Sequence, residues 1–423
     1  VISRKQVISN VLLLSSATAV SQAALALSML LTARPLGRDA FGQYAACFSL
    51  TRMTSIIFNL GMDTWLLQKG RRGETPLGKL VAGNLALKTL FGALWFGGLW
   101  AALRFLDPTT YPADLLFASA LATWLEALIM TITYSFNILL RNQVTVALTV
   151  FSSLSLLGGT VGLSVMQQKA PMTYVLLRLL VAGLTVTWGW LWLRKLVTLS
   201  LNRPVMRATL GDLWPFALSD ALLLVYTQAD ITLTAMFLGK QAAGIYAPAS
   251  SILRALFVIP SAVYMVVTPV LSQMTAEANP RLTRVIRQTD YALLGIGAAL
   301  WISVSVFGPP AVYLVLGAEF AAAGDILAIM GAILLVKSCS YASAAIIVAT
   351  GKQSQRLIVQ AIAALINVAL NFLLIRNYGI NGVAWVYVTS ESVLLAGYLI
   401  VAEQGRLQAV REQRAPQAQE ERP

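Results

Sequence analysis

Apolar residues run along this chain in long unbroken stretches, with the polar residues gathered into short segments between them. A helix needs about 20 apolar residues to cross the hydrocarbon core of a bilayer, and twelve stretches of that kind can be counted. Strands of a membrane barrel would alternate apolar with polar positions, and these do not. The pattern predicts helices over 8–31, 43–67, 79–103, 113–140, 143–166 and 172–193, then over 214–238 and 243–271. A ninth follows the basic stretch 281–287 and stops at Phe307-Gly308-Pro309-Pro310; the last three cover 324–350, 353–375 and 380–402. Arg4-Lys5 before the first run resembles a secretory signal, but the run is too long for one and is read as a retained first helix. Residues 403–423 are polar, poor in aromatics and predicted to be disordered.

The runs are organised by a repeat. Residues 31–45 read LTARPLGRDAFGQYA and residues 233–247 read LTAMFLGKQAAGIYA, identical at nine of fifteen positions, with Arg38 matched by Lys240. Each copy is a helix end, a Leu-Gly turn, a basic residue and a Gly-x-Tyr-Ala helix start. Six predicted helices separate the copies, so the two cross the membrane in the same direction, as parallel repeats about an axis along the membrane normal. The expected architecture is therefore all-α and polytopic: about twelve transmembrane helices in two parallel six-helix lobes around a central cavity. The lobes are placed at 1–200 and 201–402, followed by a disordered cytoplasmic tail, 403–423.

Composition agrees with a bilayer setting, since 57% of the 423 residues are hydrophobic and only 12% are charged. The net charge of +13 does not point to nucleic acid, because in a membrane protein the position of Lys and Arg sets orientation. With both termini cytoplasmic, the cytoplasmic segments hold 20 of the 31 basic residues and the opposite loops six, among them Arg34, Arg38, Arg104 and Lys240. Cys47 and Cys339 lie in apolar runs and are read as small buried hydrophobes. The chain has no histidine, which removes the usual imidazole proton switch and leaves any proton or cation coupling to carboxylates.

Ten ionisable residues fall inside predicted spans: Arg52, Lys88, Arg178, Arg254 and Lys337, with Asp63, Glu126, Asp220, Asp230 and Glu391. Each would cost about 2.5 to 3.5 kcal/mol at a helix centre facing lipid, so they are expected to face protein or water. Helical spacing agrees, placing Arg52, Asn59 and Asp63 on one face and Ser250, Arg254, Ser261 and Thr268 on another. Glu126 shares a face with Thr133 and Asn137, and Gln360 with Asn367 and Asn371. Two readings stand side by side. The cations and Asn59 bind a substrate while Asp63, Glu126, Asp220, Asp230 and Glu391 serve gating or ion coupling; or the charges pair structurally between helices, with Glu126, Asp220 and Glu391 as partners of the cations.

Gln228-Ala-Asp230, Leu238-Gly239 and Ala243-Gly-Ile-Tyr246 resemble the seventh and eighth helices of polysaccharide and O-antigen flippases. Asn367-Val-Ala-Leu-Asn371 followed by Tyr378-Gly-Ile-Asn-Gly382 is similar to their junction of helices eleven and twelve, where glycines permit a tight turn. Leu36-Gly37 and Phe41-Gly42-Gln-Tyr44 fit the family's first loop. These segments cover both halves, and the family forms one branch of the multidrug/oligosaccharidyl-lipid/polysaccharide exporter superfamily. The resemblance implies movement of an undecaprenyl-diphosphate-linked oligosaccharide across the bacterial cytoplasmic membrane by alternating access. It implies as partners the polyprenyl-diphosphate-linked glycan, membrane lipids and other polysaccharide-assembly proteins. No bond is broken in such a step, so neither catalytic group, metal nor cofactor is required. A multidrug or cation antiporter of the same superfamily would favour an acidic cavity, whereas the first half carries three buried cations against two acids. A membrane glycosyltransferase or polymerase would need catalytic residues on substantial outer loops, and the one holding Asp107 and Asp114 is short.

Overall fold

A computed structural model describes the backbone of residues 4–277 and 279–420, and the side chains of 16–407 other than 223, 226 and 278. The first helices are α1 (Arg4–Thr54), the short α2 (Ile56–Asn59), α3 (Met62–Arg72), α4 (Leu77–Ala102), α5 (Ala113–Ile138), α6 (Asn142–Val165) and α7 (Pro171–Leu196). There follow α8 (Arg203–Asp212), α9 (Trp214–Leu256), α10 (Val258–Ala276), α11 (Leu282–Leu316), α12 (Ala321–Ala349) and α13 (Gln353–Glu420). Among the described residues nine continuous helical stretches are long and apolar enough to cross a membrane. Three of them bend at a single glycine: Gly37 (φ 70°, ψ 173°), Gly239 (φ 80°, ψ −176°) and Gly379 (φ 58°, ψ −148°). An L side chain rarely adopts that φ. Each bend thus joins two spans with no loop, and the predicted twelve spans emerge from nine stretches.

The chain divides into two compact units, 1–248 and 249–423. In the first, α1 packs on α6 and α5 on α7, and α3 lies against α5. In the second, α12 is the central element, flanked by α11, α13 and α10. Its faces are rich in small residues, which lets helices meet closely where lipid supplies no hydrophobic driving force. A Cβ at Gly297 would lie 2.8 Å from Ser338 Cβ, and one at Gly324 would lie 2.7 Å from Pro309 Cα.

The two repeat copies meet inside the first unit. A Cβ at Gly42 would sit 1.9 Å from the Lys240 carbonyl oxygen, and one at Gly244 would sit 2.2 Å from that of Arg38. Gly42 and Gly244 occupy the same place in the repeat, as do Arg38 and Lys240, so the contact is reciprocal. Asp39 and Gln241, also equivalent, are joined by a hydrogen bond from Gln241 Nε2 to Asp39 Oδ2 at 3.2 Å. Gln43 Nε2 donates to the Thr109 carbonyl at 2.8 Å, docking the α4–α5 connection beside this crossing. That connection is shaped by Asp107, whose carboxylate accepts from the hydroxyls of Thr109 (2.7 Å) and Thr110 (2.6 Å) and from both their amides. These donors hold its pKa down to about 2.

Four boundaries differ from the sequence pattern. The second predicted span, 43–67, breaks between α1 and α3. Hydroxyls of Thr51, Thr54 and Ser55 hydrogen-bond to carbonyls three or four residues back, competing with the helix ladder. Leu60 and Gly61 then take positive φ, and Gly61 lies so near Phe216 that a Cβ would be 2.3 Å from its carbonyl carbon. The ninth span does not stop at Pro309-Pro310 but continues to Leu316, because membrane helices tolerate a lost backbone bond where neighbouring elements compensate. The basic stretch 281–287 is largely the first turns of α11 rather than a loop. The long connection after the sixth span contains α8, capped by Asn202, whose side chain accepts from the Val205 amide at 3.1 Å. The tail expected to be disordered, 403–423, is helical in its described backbone as far as Glu420, where α13 ends, and its side chains beyond 407 lie outside the described residues.

At the third bend, a Cβ on Gly382 would be 2.7 Å from Tyr378 Cβ and 3.5 Å from the Leu374 carbonyl oxygen. Gly382→Leu is therefore expected to cut the folded protein recovered from membranes severalfold. Unchanged yield by fluorescence-detected size-exclusion chromatography would contradict this close approach.

Candidate functional site

Most of the charges predicted inside the spans are found in pairs or clusters. In the first unit Glu126 of α5 bridges two guanidinium groups, with Arg52 Nη2 on Oε2 at 2.9 Å and Arg178 Nε on Oε1 at 2.5 Å. Arg52 comes from the end of α1 and Arg178 from α7, so three helices contribute one residue each. Arg178 also packs over the Phe48 ring, 4.6 Å from its centroid, which compensates part of its desolvation. Two cations share one carboxylate, leaving the cluster a net positive charge. Arg52 keeps 40% of its side chain exposed, against 13% for Arg178, so its remaining N–H groups are the accessible ones.

The second cluster is closed. Lys88 of α4 has no exposed side-chain surface; its Nζ donates to Asp63 Oδ2 at 2.6 Å and to the Ala127 carbonyl at 3.0 Å. Thr131 donates to the other carboxylate oxygen at 2.7 Å, and Asn84 Nδ2 reaches the Met62 carbonyl at 3.0 Å. These bonds tie α3 to α4 and α5 just past the break in the second span. Asn59, on the broken segment, donates to Ser55 Oγ at 3.3 Å, and its Oδ1 is buried without a partner among the described residues.

Asp220 and Asp230 both lie on α9. Asp220 is half-buried and forms no ion pair among the described residues. Asp230 is buried and accepts from the Tyr246 hydroxyl at 3.4 Å, linking the two sides of the Gly239 bend. In the second unit Lys337 of α12 meets Glu391 of α13 at 2.7 Å, under the Phe257 ring at 5.8 Å. Glu391 is fully buried, and its Oε2 has no partner among the described residues. Arg254 is half-buried near the end of α9.

One interior cation escaped the sequence reading. Arg356, which the charge pattern assigns to the cytoplasmic flanks, turns inward between Tyr264 and Tyr398. Its only signal was an arginine followed four residues later by Gln360, at the start of a polar helix face. No grouping of three or more Cys, Asp or Glu residues suited to a metal ion occurs among the described residues.

Residues 31–325 match the family described as "Polysaccharide biosynthesis protein". Among solved structures, the chain is similar to an inward-facing multidrug resistance MATE family transporter of the MOP superfamily. The TM-score is 0.70 at 14% identity, covering 94% of this chain and 96% of the other. It is equally similar in fold to the lipid II flippase MurJ in an inward closed conformation, with a TM-score of 0.70, 13% identity and coverage of 95% and 91%. A third is a MOP superfamily transporter from Pyrococcus furiosus, described as having a binding pocket of reverse polarity. There the TM-score is 0.62 at 13% identity, with 95% of each chain covered. No curated protein sequence matches the chain significantly.

Proposed function

We propose, from the premise that the chain belongs to the polysaccharide biosynthesis protein family, that it is a flippase. Its substrate on this reading is an oligosaccharide linked to undecaprenyl diphosphate, which it moves across the bacterial cytoplasmic membrane by alternating access. The observation that carries the reading is the Arg52–Glu126–Arg178 cluster, in which one carboxylate serves two guanidinium groups. A diphosphate is the complement of such a surplus. Guanidinium keeps its charge when partly desolvated and can hold phosphate oxygens through paired N–H groups. Arg52 is the contacting residue and Arg178 the one that orients Glu126, while the enclosed Lys88–Asp63 pair frames the cluster. Arg254 and Lys337 are further substrate contacts in their own unit, and Asp220, Asp230 and Glu391 the residues open to gating or ion coupling. The polyprenyl tail stays in lipid throughout, and both termini are cytoplasmic.

The test is complementation of a deletion in the native host. Arg52→Ala and Arg254→Ala should reach the membrane at wild-type abundance but export surface glycan at roughly a tenth of the wild-type level or less. That is the effect of losing a charge-assisted hydrogen bond of about 1.5 to 3 kcal/mol. Lipid-linked oligosaccharide should accumulate in proportion, and Arg254→Lys should retain part of the activity. Normal glycan in the deletion strain, with altered drug susceptibility instead, would replace this reading by the antiporter one.

A further inference from the structure

The interior cations of this protein are neutralised differently, and the difference isolates Arg356. Arg52 and Arg178 share Glu126, Lys88 has Asp63, and Lys337 has Glu391. Among the described residues Arg356 has only phenols as hydrogen-bond acceptors. Its Nη1 donates to Tyr264 Oη of α10 and its Nε to Tyr398 Oη, far along α13, each at 3.2 Å. The guanidinium carbon lies 6.0 Å and 5.9 Å from the two ring centroids, and Tyr341 of α12 flanks Tyr264 with ring centroids 5.4 Å apart. Glu391, the acid whose charge reaches Tyr398, pairs through Oε1 with Lys337 at 2.7 Å and forms no ion pair with Arg356. A half-buried cation with no counter-charge among the described residues is costly in a membrane protein, and such residues are candidates for function.

The hydrogen-bond inventory gives the chemistry of what is missing. A guanidinium has five N–H donors and no acceptor, and two of the five are used here. A phenol oxygen that accepts from the guanidinium must turn its own O–H proton away from it. Both tyrosines therefore present donors alongside the free N–H groups, and although Gln360, hydrogen-bonded to Tyr398, brings an amide with one acceptor oxygen, donors predominate at the site. A neutral sugar or an amide would need acceptors as well as donors. A group with several negatively charged oxygens needs only donors.

We propose that Arg356, Tyr264 and Tyr398 form an anion site in the second unit that takes the phosphate of a lipid headgroup. Arg356 stands in the first turn of α13, which the charge pattern assigns to the cytoplasmic face, and it reaches Tyr264 in the first half of α10. If the flippase reading holds, this is a loading station for the diphosphate, distinct from the Arg52 cluster. An anionic phospholipid of the bilayer offers the same chemistry.

The test uses the full chain in phosphatidylcholine nanodiscs, titrated calorimetrically with inorganic pyrophosphate. Wild type and Arg52→Ala are both measured, so that binding at the two places is counted separately. In both, Arg356→Gln should weaken one class of pyrophosphate binding at least tenfold. The Tyr264→Phe/Tyr398→Phe double variant, which keeps the cation, should weaken the same class severalfold. Arg104→Gln, in the α4–α5 connection, should change nothing. Replacing part of the phosphatidylcholine with phosphatidylglycerol raises the apparent Kd if bilayer lipid occupies the site. If the site awaits the carried diphosphate, that Kd stays constant, and farnesyl diphosphate binds with the same dependence on Arg356. If Arg356→Gln does not fold, the double variant decides alone. Absence of saturable binding in wild type, or binding indifferent to Arg356 or to the two hydroxyls, overturns the site. Failure of the flippase reading would appear elsewhere, as undiminished glycan export by Arg52→Ala.

Discussion

Gly42→Leu is expected to abolish disulfide formation between cysteines introduced by Asp39→Cys and Gln241→Cys, a pair that should otherwise cross-link readily under mild oxidation. The two native side chains are within hydrogen-bonding distance, at 3.2 Å, so the cysteine pair starts close. A Cβ at position 42 would lie 1.9 Å from the Lys240 carbonyl oxygen and 2.7 Å from its carbon. Both are backbone atoms held in a helix, so relief requires the two repeat turns to part by more than an ångström rather than one side chain to rotate. Cross-linking should fall by about tenfold or more. Gly98→Leu, on α4 with no atom within 4 Å of the new Cβ, provides the control and should leave cross-linking intact. On the flippase reading the same crossing must open in one half of the cycle, so Gly42→Leu should also lower export while preserving membrane abundance. Undiminished cross-linking in the Leu variant would show that the turns do not meet in the membrane as described.

Lys88→Ala is expected to produce the largest loss of stability. The lysine is wholly enclosed, and its removal leaves the Asp63 carboxylate with Thr131 as its donor among the described residues. Breaking a buried pair from one side costs about 3 to 5 kcal/mol, because the surviving charge has no compensation. Thermal unfolding in detergent, followed by tryptophan fluorescence, should therefore shift sharply downward. Lys88→Met combined with Asp63→Leu should recover most of the loss, since both charges are removed and volume is kept. A single variant as stable as wild type, or a double variant no better than the single, would overturn the assignment of this pair as the fastening of α3 to α4 and α5.

The twelve spans were legible because membrane helices announce themselves by length and apolarity. The glycine bends were legible because Leu36-Gly37 and Leu238-Gly239 recur in register. The interruption at Ser55 was not, since it depends on three hydroxyls turning back to their own helix and on Phe216, distant in sequence, crowding Gly61. Pro309-Pro310 reads as a helix end because it is one in water, whereas in a membrane protein neighbouring elements can compensate the missing amides. Among the site residues, helical spacing puts Arg52, Asn59 and Asp63 on one face, yet Leu60 and Gly61 rotate Asp63 away to Lys88. That separation needs the positive φ values at 60 and 61, which no periodicity encodes. Pairing of Glu126 and Glu391 with cations was one of the open alternatives. The phenol-lined setting of Arg356 was invisible, because Tyr264 and Tyr398 are remote in sequence and look like ordinary aromatic residues of their spans.

The reciprocal crossing of Gly42 and Gly244 also bears on how two copies within one gene can drift apart. Each glycine touches the main chain of the other copy, so a side chain gained in either would push against both. Neither copy can compensate for the other, because a carbonyl cannot be substituted away. Flanking positions such as Arg34 and Met236 differ between the copies, whereas Gly42 and Gly244 constrain each other to glycine. The contact gives a physical reason why both copies of the repeat carry glycine at this position.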